Sequence, residues 1–425
     1  MPKVMAMMLA GGRVDELSVL TQYRPKSAVP FGGLYRVVDF PLSNLMNSGI
    51  ESVGVLSQYR SFSLINHLGN GASWDMVGRT RSLTILPPFK DHAGSGWYRA
   101  NADAVYQNLE FLYAHMPEHV LVLSADHVYR MDYQSLLNYH REKEADLTMA
   151  FIEVPQQQTA RFGIAVIDDE DGHAGGRILD YAEKPVEPKS LWASMTVYLF
   201  KADVLYDVLV RNNQRSEGFE FGRDIIPSML SGYRLYGYKH ASYWGYTRTI
   251  DEYWQTSMDL LGENPQINPE VWKVRTNLAH NSTRDHPPAI IGPRAEISNS
   301  LIYNGCRING KVTNSILFPN VTVGADSEIN GSILMFNTQV GEEAKLERVI
   351  SDVETTIGRG VQIGVEGELA PNEESPELLK SGITLIGRSC DIPSGIRIGK
   401  NCIIKPDLSY SRFKENVIES GKTVG

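Results

Sequence analysis

Two hydrophobic periods divide the chain. Up to about residue 262, short apolar runs alternate with segments whose apolar residues recur every three to four positions. The runs predict strands at residues 53–56, 120–123, 147–152 and 196–200, and the periodic segments predict helices at 102–113, 133–143 and 250–261. The opening run at 4–10 leads directly into Gly11 and Gly12, which favours a buried strand over a signal peptide. This alternation predicts an α/β domain at residues 1–262 with a mostly parallel sheet.

The C-terminal part repeats with a different period. An aliphatic residue followed by glycine recurs every 17 residues, at 323, 340 and 357, and aliphatic residues keep a step of six from 386 to 404. Three six-residue rungs per turn, each with one inward aliphatic side chain, predict a left-handed parallel β-helix at residues 289–425. A β-sandwich would not hold a common register across three copies. A polar segment with four prolines predicts a linker at 263–288, and the loss of the period predicts a loop insert near 365–382.

Composition and charge narrow the class of protein. The 425 residues are 42% hydrophobic and 21% charged, which is typical of a soluble globular protein with about two domains. A net charge of -9 argues against a nucleic-acid partner, because phosphate backbones are bound by clustered lysines and arginines. The three cysteines have no paired metal spacing, so we expect reduced thiols in a cytoplasmic protein rather than zinc or disulfides. No apolar run approaches membrane-spanning length, so no membrane partner is expected.

Candidate chemistry begins at the end of the first predicted strand. Gly11 and Gly12 follow this strand, and adjacent glycines let backbone N–H groups approach a polyphosphate closely, while Lys26 supplies positive charge. A glycine pair is more often only a turn, so this signal is weak by itself. Asp126 ends another apolar run, where a carboxylate either binds a metal ion or caps a helical turn. The residues alone leave both interpretations open.

Several further short motifs occur in order along the chain. They lie at residues 24–33, 37–44, 102–108, 193–195, 222–227 and 249–251, together with Ser124-Ala-Asp-His127 and Glu183-Lys-Pro185. In this order they resemble the nucleotidyltransferase domain of ADP-glucose pyrophosphorylases, and the C-terminal repeat resembles that family's β-helix. The resemblance covers nearly the whole chain. It implies an α/β nucleotidyltransferase domain with a Rossmann-like, GT-A-like mixed sheet, followed by a left-handed parallel β-helix.

The resemblance also implies a reaction. In this family the phosphate of glucose 1-phosphate attacks the α-phosphorus of ATP, giving ADP-glucose and pyrophosphate, which requires positioned phosphates, Mg²⁺ and cations over the developing charge. On the matching positions, Lys26 would be catalytic and Asp126 would hold Mg²⁺. Nucleotide is expected at Gly11, Gly12, Gln58 and Asp103, and glucose 1-phosphate at Tyr98, Gly163, Glu183, Lys184 and Ser194. Each of these residues could also have only a structural role. The resemblance therefore supports the site residues as a group more strongly than any one of them.

The chain departs from the family pattern at positions that the reaction requires. Glu16 stands in place of the family's catalytic arginine, and Tyr246 in place of its second Mg²⁺-binding aspartate. Tyr23 stands where a lysine often binds an activating sugar phosphate. Losing a cation over a phosphoryl transition state costs about 10²- to 10⁵-fold in rate, and a carboxylate about 4 Å from a phosphate adds repulsion of about 4 kcal/mol. We therefore expect slow or absent catalysis, with Mg²⁺ bound weakly or not at all.

The pattern is compatible with three functional hypotheses. The first is a catalytically impaired homologue in glycogen or starch synthesis, which acts as a regulatory subunit in a homo- or heterotetramer with an active paralogue and responds to a sugar-phosphate effector. The second is an active nucleotide-sugar pyrophosphorylase with a rearranged site, in which Asp103 or Asp251 holds the metal ion or another nucleotide is preferred. The third is a stand-alone sugar-phosphate or effector-binding scaffold. Acyl transfer by the β-helix is disfavoured because no histidine follows His286.

Overall fold

The N-terminal region of the computed structural model is built around one large β-sheet. The structure describes residues 3–12, 14–89, 96–168, 171–215, 218–279 and 285–425. The strands of this region are β1 (Val4–Leu9), β2 (Pro30–Phe31), β3 (Tyr35–Arg36), β4 (Ser52–Leu56), β5 (Ser82–Leu86), β6 (His119–Ser124), β7 (Val128–Tyr129), β8 (Leu147–Glu153), β9 (Gly163–Ile167), β10 (Gly175–Glu183), β11 (Trp192–Lys201), β12 (Leu235–Lys239) and β13 (Trp244–Gly245). The α-helices are α1 (Asp39–Asn47), α2 (Phe62–Leu68), α3 (Asn101–Gln107), α4 (Leu109–His115), α5 (Tyr133–Glu142), α6 (Ala202–Arg215), α7 (Ile226–Met229) and α8 (Ile250–Met258).

The large sheet has nine strands and is mixed. Its strand order is β5-β4-β1-β6-β11-β8-β12-β10-β9. The first four strands pair in parallel, as do β8 and β12, whereas β11 runs antiparallel to β6 and β8, and β10 antiparallel to β9 and β12. The expectation of a mostly parallel sheet is therefore wrong, and the mixed sheet implied by the resemblance is confirmed. The reason is that β9, β10 and β11 follow one another without the crossover helix that parallel neighbours need.

The predicted elements lie close to observed ones. The four predicted strand segments fall in β4, β6, β8 and β11, and the opening apolar run forms β1. The predicted helix at 102–113 is divided into α3 and α4 by Asn108, whose backbone N–H donates to Val105 O at 3.1 Å and whose side-chain amide donates to Ala104 O at 2.8 Å. The helix predicted at 250–261 is α8, which ends earlier, at Met258.

Both faces of the large sheet are covered. Along β1, Met5 and Met7 belong to a buried cluster on one face, whereas Ala6 and Met8 belong to a buried cluster on the other. Successive side chains of a strand point to opposite faces, so a strand covered on both sides has an unbroken apolar sequence. The polar residues that follow β1, β4 and β6 are thereby left at one edge of the sheet, where the three parallel strands end together.

The C-terminal region is a β-helix of short parallel strands. One sheet contains β14 (Ile290–Ile291), β17 (Arg307–Ile308), β20 (Thr322–Val323), β23 (Gln339–Val340), β26 (Thr356–Ile357) and β29 (Asp391–Ile392). A second contains β15 (Glu296–Ser298), β18 (Lys311–Thr313), β21 (Glu328–Asn330), β24 (Lys345–Glu347), β27 (Gln362–Ile363), β30 (Arg397–Ile398) and β32 (Val417–Ile418). The third contains β16 (Leu301–Ile302), β19 (Ile316–Leu317), β22 (Ile333–Leu334), β25 (Val349–Ser351), β28 (Thr384–Ile386), β31 (Ile403–Ile404) and β33 (Thr423–Val424).

The repeat seen in the sequence is the register of this β-helix. Val323 pairs with Val340, and Val340 with Ile357, which is one turn for each 17 residues. The left-handed β-helix is confirmed as the fold of this region. The lapse of the period corresponds to the loop between β27 and β28, where the buried Asn372 side chain donates to the carbonyl of Asn401 at 3.0 Å. The domain bounds 1–262, 263–288 and 289–425 stay a prediction.

The two regions share a hydrophobic cluster and a buried ion pair. Leu20 and Phe31 pack in one cluster with Ile316 of the β-helix. Beside this cluster, the Arg24 guanidinium donates to both carboxylate oxygens of Asp352, at 2.8 and 3.1 Å. The β-helix therefore contacts the segment that carries Lys26, two residues beyond Arg24.

Two further observations concern the class of protein. The cysteines, Cys306, Cys390 and Cys402, are buried and form no disulfide. Within the described ranges, no helix is long and apolar enough to cross a membrane.

Candidate active site

Two adjoining cavities lie at the edge of the sheet where β1, β4 and β6 end. The larger cavity has a volume of about 380 Å³ and is lined by the residues that follow these strands, among them Gly11, Gln58 and Asp126. The smaller cavity, of about 190 Å³, is lined by parts of β9, β10 and β11. Both cavities share the side chains of Asn101, Thr196, Tyr246 and Arg248. Ligands bind in such crevices at the carboxyl ends of parallel strands.

The glycine turn forms one wall of the larger cavity. A Cβ atom on Gly11 would lie 2.8 Å from the backbone nitrogen of Gln58, so this position requires glycine. A Cβ atom on Gly12 would meet nothing within 4 Å, so no neighbour in the structure demands glycine there. The turn lets the chain leave β1 close to the end of β4, which leaves its backbone open to the cavity.

Lys26 and Asp126 form an ion pair inside the larger cavity. Lys26 Nζ lies 3.2 Å from Asp126 Oδ2 and donates to the backbone oxygen of Tyr246 at 2.6 Å. Burial lowers the pKa of Lys26, although Asp126 opposes this shift. Burial would raise the pKa of Asp126, but the charges of Lys26 and His127 and a hydrogen bond from Ser124 hold it well below its usual value. The carboxylate is therefore ionised and already has a cationic partner.

Tyr246 and Arg248 occupy the junction of the two cavities. The Tyr246 ring stacks on Trp244 with 5.3 Å between the ring centroids, and burial raises the pKa of its phenol. Arg248 Nη1 donates to Tyr246 Oη at 3.2 Å, and Arg248 Nε donates to Glu16 Oε1 at 2.8 Å. Glu16 is not among the residues that line either cavity; it lies against Arg248 instead. The junction thus holds an arginine that is paired with Glu16.

A second ion pair fixes the loop that carries these residues. Arg161 donates to both oxygens of Glu252, at 2.6 and 3.1 Å, and Glu252 also accepts from the backbone N–H groups of Arg248 and Thr249, each at 3.0 Å. Burial would raise the pKa of Glu252, but the hydrogen bond and charge of Arg161 lower it. Thr249 and Glu252 also form a capping box at the start of α8. The loop is therefore attached to the first turn of a helix.

The smaller cavity contains four of the predicted sugar-site residues: Gly163, Glu183, Lys184 and Ser194. A Cβ atom on Gly163 would lie 1.8 Å from Tyr181 Oη, and this hydroxyl donates to Glu183 Oε2 at 3.0 Å. Burial raises the pKa of Glu183. Lys184 is exposed at the rim, whereas Ser194 is buried and its Oγ donates to Tyr198 Oη at 3.3 Å. The cavity is thus lined mainly by polar groups.

The structure separates two predicted residues from the positions expected for them. Tyr98 lines the larger cavity rather than the smaller one, and its hydroxyl donates to Leu86 O at 3.0 Å, away from the cavities. Asp103 lines neither cavity, because its buried carboxylate accepts from the Arg99 guanidinium at 2.6 Å and from Gln107 Nε2 at 2.7 Å. Asp103 therefore supports Arg99, which lines the larger cavity, instead of facing a ligand itself.

Sequence reasoning missed Arg248 and Arg161. Their side chains line the cavities, and both lie near the Tyr246 ring, Arg161 with its guanidinium carbon 5.3 Å from the ring centroid. A signal for Arg248 exists, since it occupies the glycine position of the same broken motif that contains Tyr246. Arg161 lies in a short polar 3₁₀ segment without a motif, so the sequence carries no comparable signal for it.

The fold and the cavities define the chain as a nucleotidyltransferase with a C-terminal hexapeptide-repeat domain. It matches the family described as "Nucleotidyl transferase" over residues 5–263 and the family described as "GlmU-like, C-terminal hexapeptide" over residues 289–386. The glucose-1-phosphate adenylyltransferase of Acetivibrio thermocellus is 40% identical over 426 residues, covering 99% of this chain and 97% of that protein. The corresponding protein of Thermotoga neapolitana is 42% identical over 429 residues, covering 100% and 99%. The chain belongs to the glucose-1-phosphate adenylyltransferase family.

Proteins of this class generally use Mg²⁺, and the residues at the junction do not fit a two-carboxylate site for it. Asp126 is the one carboxylate among the described residues that line the larger cavity, and Lys26 occupies one of its oxygens. That Tyr246 stands in place of a second metal-binding aspartate stays a prediction from the sequence resemblance. In the described ranges, no three His, Cys, Asp or Glu side chains lie close enough together to hold a metal ion.

Proposed function

We propose that this chain is a glucose-1-phosphate adenylyltransferase homologue that binds the family's ligands but catalyses their reaction slowly, and that it acts as a regulatory subunit beside an active paralogue. The family acts on ATP and glucose 1-phosphate. The larger cavity would take the nucleotide against Gly11 and Gly12, and the smaller cavity the sugar against Glu183 and Ser194. The phosphate groups would then meet at the junction, beside Arg248.

One observation carries this proposal: the Lys26 cation of the larger cavity and the Arg248 cation at the junction already have carboxylate partners. Lys26 Nζ lies 3.2 Å from Asp126, and Arg248 Nε lies 2.8 Å from Glu16. A cation stabilises a phosphoryl transition state when it is aimed at the developing charge. Two opposite charges about 4 Å apart attract by about 4 kcal/mol at an intermediate dielectric, so moving either cation onto a phosphate gives up an interaction of this order. The net stabilisation of the transition state is reduced accordingly.

Tyr246 is a second impediment. Its phenol is neutral at physiological pH, since burial raises its pKa, and a neutral phenol is a poor ligand for Mg²⁺ compared with a carboxylate. The ring is held by Trp244 and by Phe162, whose ring centroid lies 4.8 Å away. Bound Mg²⁺ would supply charge neutralisation between the phosphates, but Asp126 alone gives it a weak site. We therefore assign the binding and positioning of ligands to the chain, and not their rapid conversion.

The experiment that tests this proposal measures ADP-glucose formation from ATP, Mg²⁺ and glucose 1-phosphate. The purified chain is assayed alone and in a mixture with an active paralogue. We expect little product from the chain alone and altered kinetics of the active subunit in the mixture. Calorimetric titration of glucose 1-phosphate serves as the control that the chain is folded and binds ligand. Turnover by the isolated chain at the rate of an ordinary family member would end the proposal.

Arg248 favours a second candidate, an active enzyme with a rearranged site. Its guanidinium is a cation at the junction where the family pattern has glycine, and it would replace the charge lost at Glu16. Asp103 and Asp251 give this candidate no support as metal ligands, since neither is among the residues that line the two cavities of the site. Arg248→Ala separates the two candidates. A rearranged enzyme would lose about 10²-fold or more of its rate, whereas an impaired chain has little rate to lose.

Assembly and regulation are part of the same proposal. A homo- or heterotetramer predicts a mass in solution that changes when the active paralogue is present, whereas a stand-alone scaffold, the third hypothesis, predicts no such change. A sugar-phosphate effector is still proposed, although Tyr23 presents a hydroxyl that donates to Asp407 Oδ2 at 2.7 Å, and not a cation. A cytoplasmic location is proposed from the three unpaired cysteines.

A further inference from the structure

The Arg248 side chain is partly exposed at the point where the two cavities meet. It is 38% exposed and lines both cavities. An arginine carries five N–H donors in a planar fork, and the contacts with Glu16 and Tyr246 engage Nε and Nη1. The Nη2 group makes no hydrogen bond to the described residues, so it is the donor left for a phosphate. A guanidinium binds phosphate well because it stays charged, donates charge-assisted hydrogen bonds and is weakly hydrated.

The same region is unfavourable for a divalent cation. The Lys26 ammonium lies 3.2 Å from Asp126 Oδ2. A metal ion bound to this oxygen would have to compete with the ammonium for it. The other oxygen, Oδ1, accepts a hydrogen bond from the Ser124 hydroxyl and lies 3.5 Å from His127 Nε2. A metal ion at this carboxylate would therefore meet a positive charge that the chain itself provides. Lys26 and Arg248 would therefore supply the positive charge that a metal ion supplies to the phosphates in the family.

From these observations we infer that the cleft binds the phosphates of a nucleoside diphosphate sugar without a divalent cation, with the Arg248 guanidinium and the Lys26 ammonium as the counter-charges. This inference rests on the proposed function, since it concerns the same cleft. A ligand of this class has a nucleoside at one end, a sugar at the other and two phosphates between them. The order of larger cavity, Arg248 and smaller cavity matches this order of groups.

Glu16 acts as an internal competitor in this scheme. Its carboxylate accepts from Arg248 Nε and is not among the residues that line either cavity. A ligand phosphate must share Arg248 with this carboxylate, and the two negative charges repel each other. Removing the charge of Glu16 should therefore strengthen ligand binding, which is the opposite of what removal of a ligand-binding residue would do.

The test is calorimetric titration of ADP-glucose into the full chain, once in EDTA and once with Mg²⁺. We expect the same affinity in both conditions. Arg248→Ala should weaken binding in EDTA by about ten-fold or more, because an arginine–phosphate contact is a charge-assisted hydrogen bond. Arg248→Lys, which keeps the charge and loses the fork, should lie between the two, and Glu16→Gln should tighten binding. Arg211→Ala is the matched control, an exposed arginine of α6 that is paired with Asp207 at 2.7 Å and should change nothing.

The outcomes separate this inference from the function on which it rests. Binding that appears only with Mg²⁺ overturns the inference and leaves slow turnover untouched. Equal binding in EDTA by the unmodified chain and by Arg248→Ala also overturns it, as does the lack of ADP-glucose binding in both conditions. Thermal melting of each variant without ligand establishes that a loss of binding is not a loss of fold. Rapid product formation by the isolated chain is a separate measurement and would overturn the proposed function instead.

Discussion

Replacing Arg24 by methionine should destabilise the protein strongly, because it breaks the buried ion pair between the two regions. The Arg24 and Asp352 side chains are 6% and 1% exposed, and the guanidinium donates to both carboxylate oxygens. Methionine keeps most of the apolar stem, so the packing of the side chain changes little. The Asp352 carboxylate would keep one further donor, the backbone N–H of Val353 at 2.8 Å, and the nearby charge of Arg36, but it would lose the guanidinium that is hydrogen-bonded to both of its oxygens.

The magnitude follows from this burial. Removing one partner of a buried ion pair costs about 3–5 kcal/mol, because the remaining charge is left without compensation in a medium of low dielectric. An exposed pair contributes only about 0.2–1 kcal/mol. The pair between Arg211 and Asp207, with side chains 64% and 38% exposed, is the matched control. Arg24→Met should therefore cost several times more than Arg211→Ala.

The assay is urea unfolding followed by tryptophan fluorescence. Trp254 is a suitable reporter because its indole N–H donates to Gly331 O of the β-helix at 2.8 Å. A second variant, Arg24→Met combined with Asp352→Leu, removes both charges and should recover a large part of the lost stability. If Arg24→Met costs no more than Arg211→Ala, or if the double variant is less stable than the single one, the reasoning about this pair is refuted.

Two further predictions concern a buried histidine and the smaller cavity. Burial lowers the pKa of His140 to about 3 from 6.5, so between these pH values the unfolded chain takes up a proton that the folded chain does not, and the free energy of unfolding should fall by about 1.4 kcal/mol for each pH unit of acidification. His140→Gln should remove this part of the slope in urea unfolding between pH 7 and pH 5, and an unchanged slope would contradict the assignment. Gly163→Ala should weaken glucose 1-phosphate binding in calorimetry, because the new Cβ atom would lie 1.8 Å from Tyr181 Oη and must displace it. Gly232→Ala, where a Cβ atom meets nothing within 4 Å, should leave binding unchanged, and equal affinities for the two variants would contradict this account of the cavity.

The parts of the fold that could be predicted from the sequence are those with a repeated hydrophobic pattern. β1 and β6 are covered on both faces, so burial leaves an unbroken apolar run in the sequence. The β-helix repeats one turn every 17 residues, so its register is present in the sequence itself. The direction of β11 was not predictable in this way, because strand direction depends on the connections and not on the apolar period. The break at Asn108 depends on hydrogen bonds of one side chain, which a periodic pattern does not contain.

In the candidate site, too, some positions could be predicted from local sequence and others depend on contacts between distant parts of the chain. Gly11 and Asp126 each lie two residues beyond the end of a strand, so their positions at the sheet edge could be predicted from local sequence. The pair between Glu16 and Arg248 could not, since 232 residues separate its members and only the folded chain brings them together. For Asp103 the motif predicted a nucleotide-binding carboxylate, but in the folded chain this carboxylate accepts a hydrogen bond from Arg99 instead of lining a cavity. The roles assigned to the individual site residues stay predictions.

The most direct measurement of the central claim restores the two lost groups at once. Glu16→Arg combined with Tyr246→Asp returns a cation and a metal-binding carboxylate to the junction, and ADP-glucose formation is measured for this variant and for the unmodified chain under the same conditions. Tyr246→Phe alone, which removes the hydroxyl without supplying a carboxylate and leaves Glu16 in place, is the control. If charge balance at the junction limits the reaction, the first variant should gain about 10²-fold or more in rate and the control should not. A loss of activity in the first variant, or equal rates for both variants, would contradict the account.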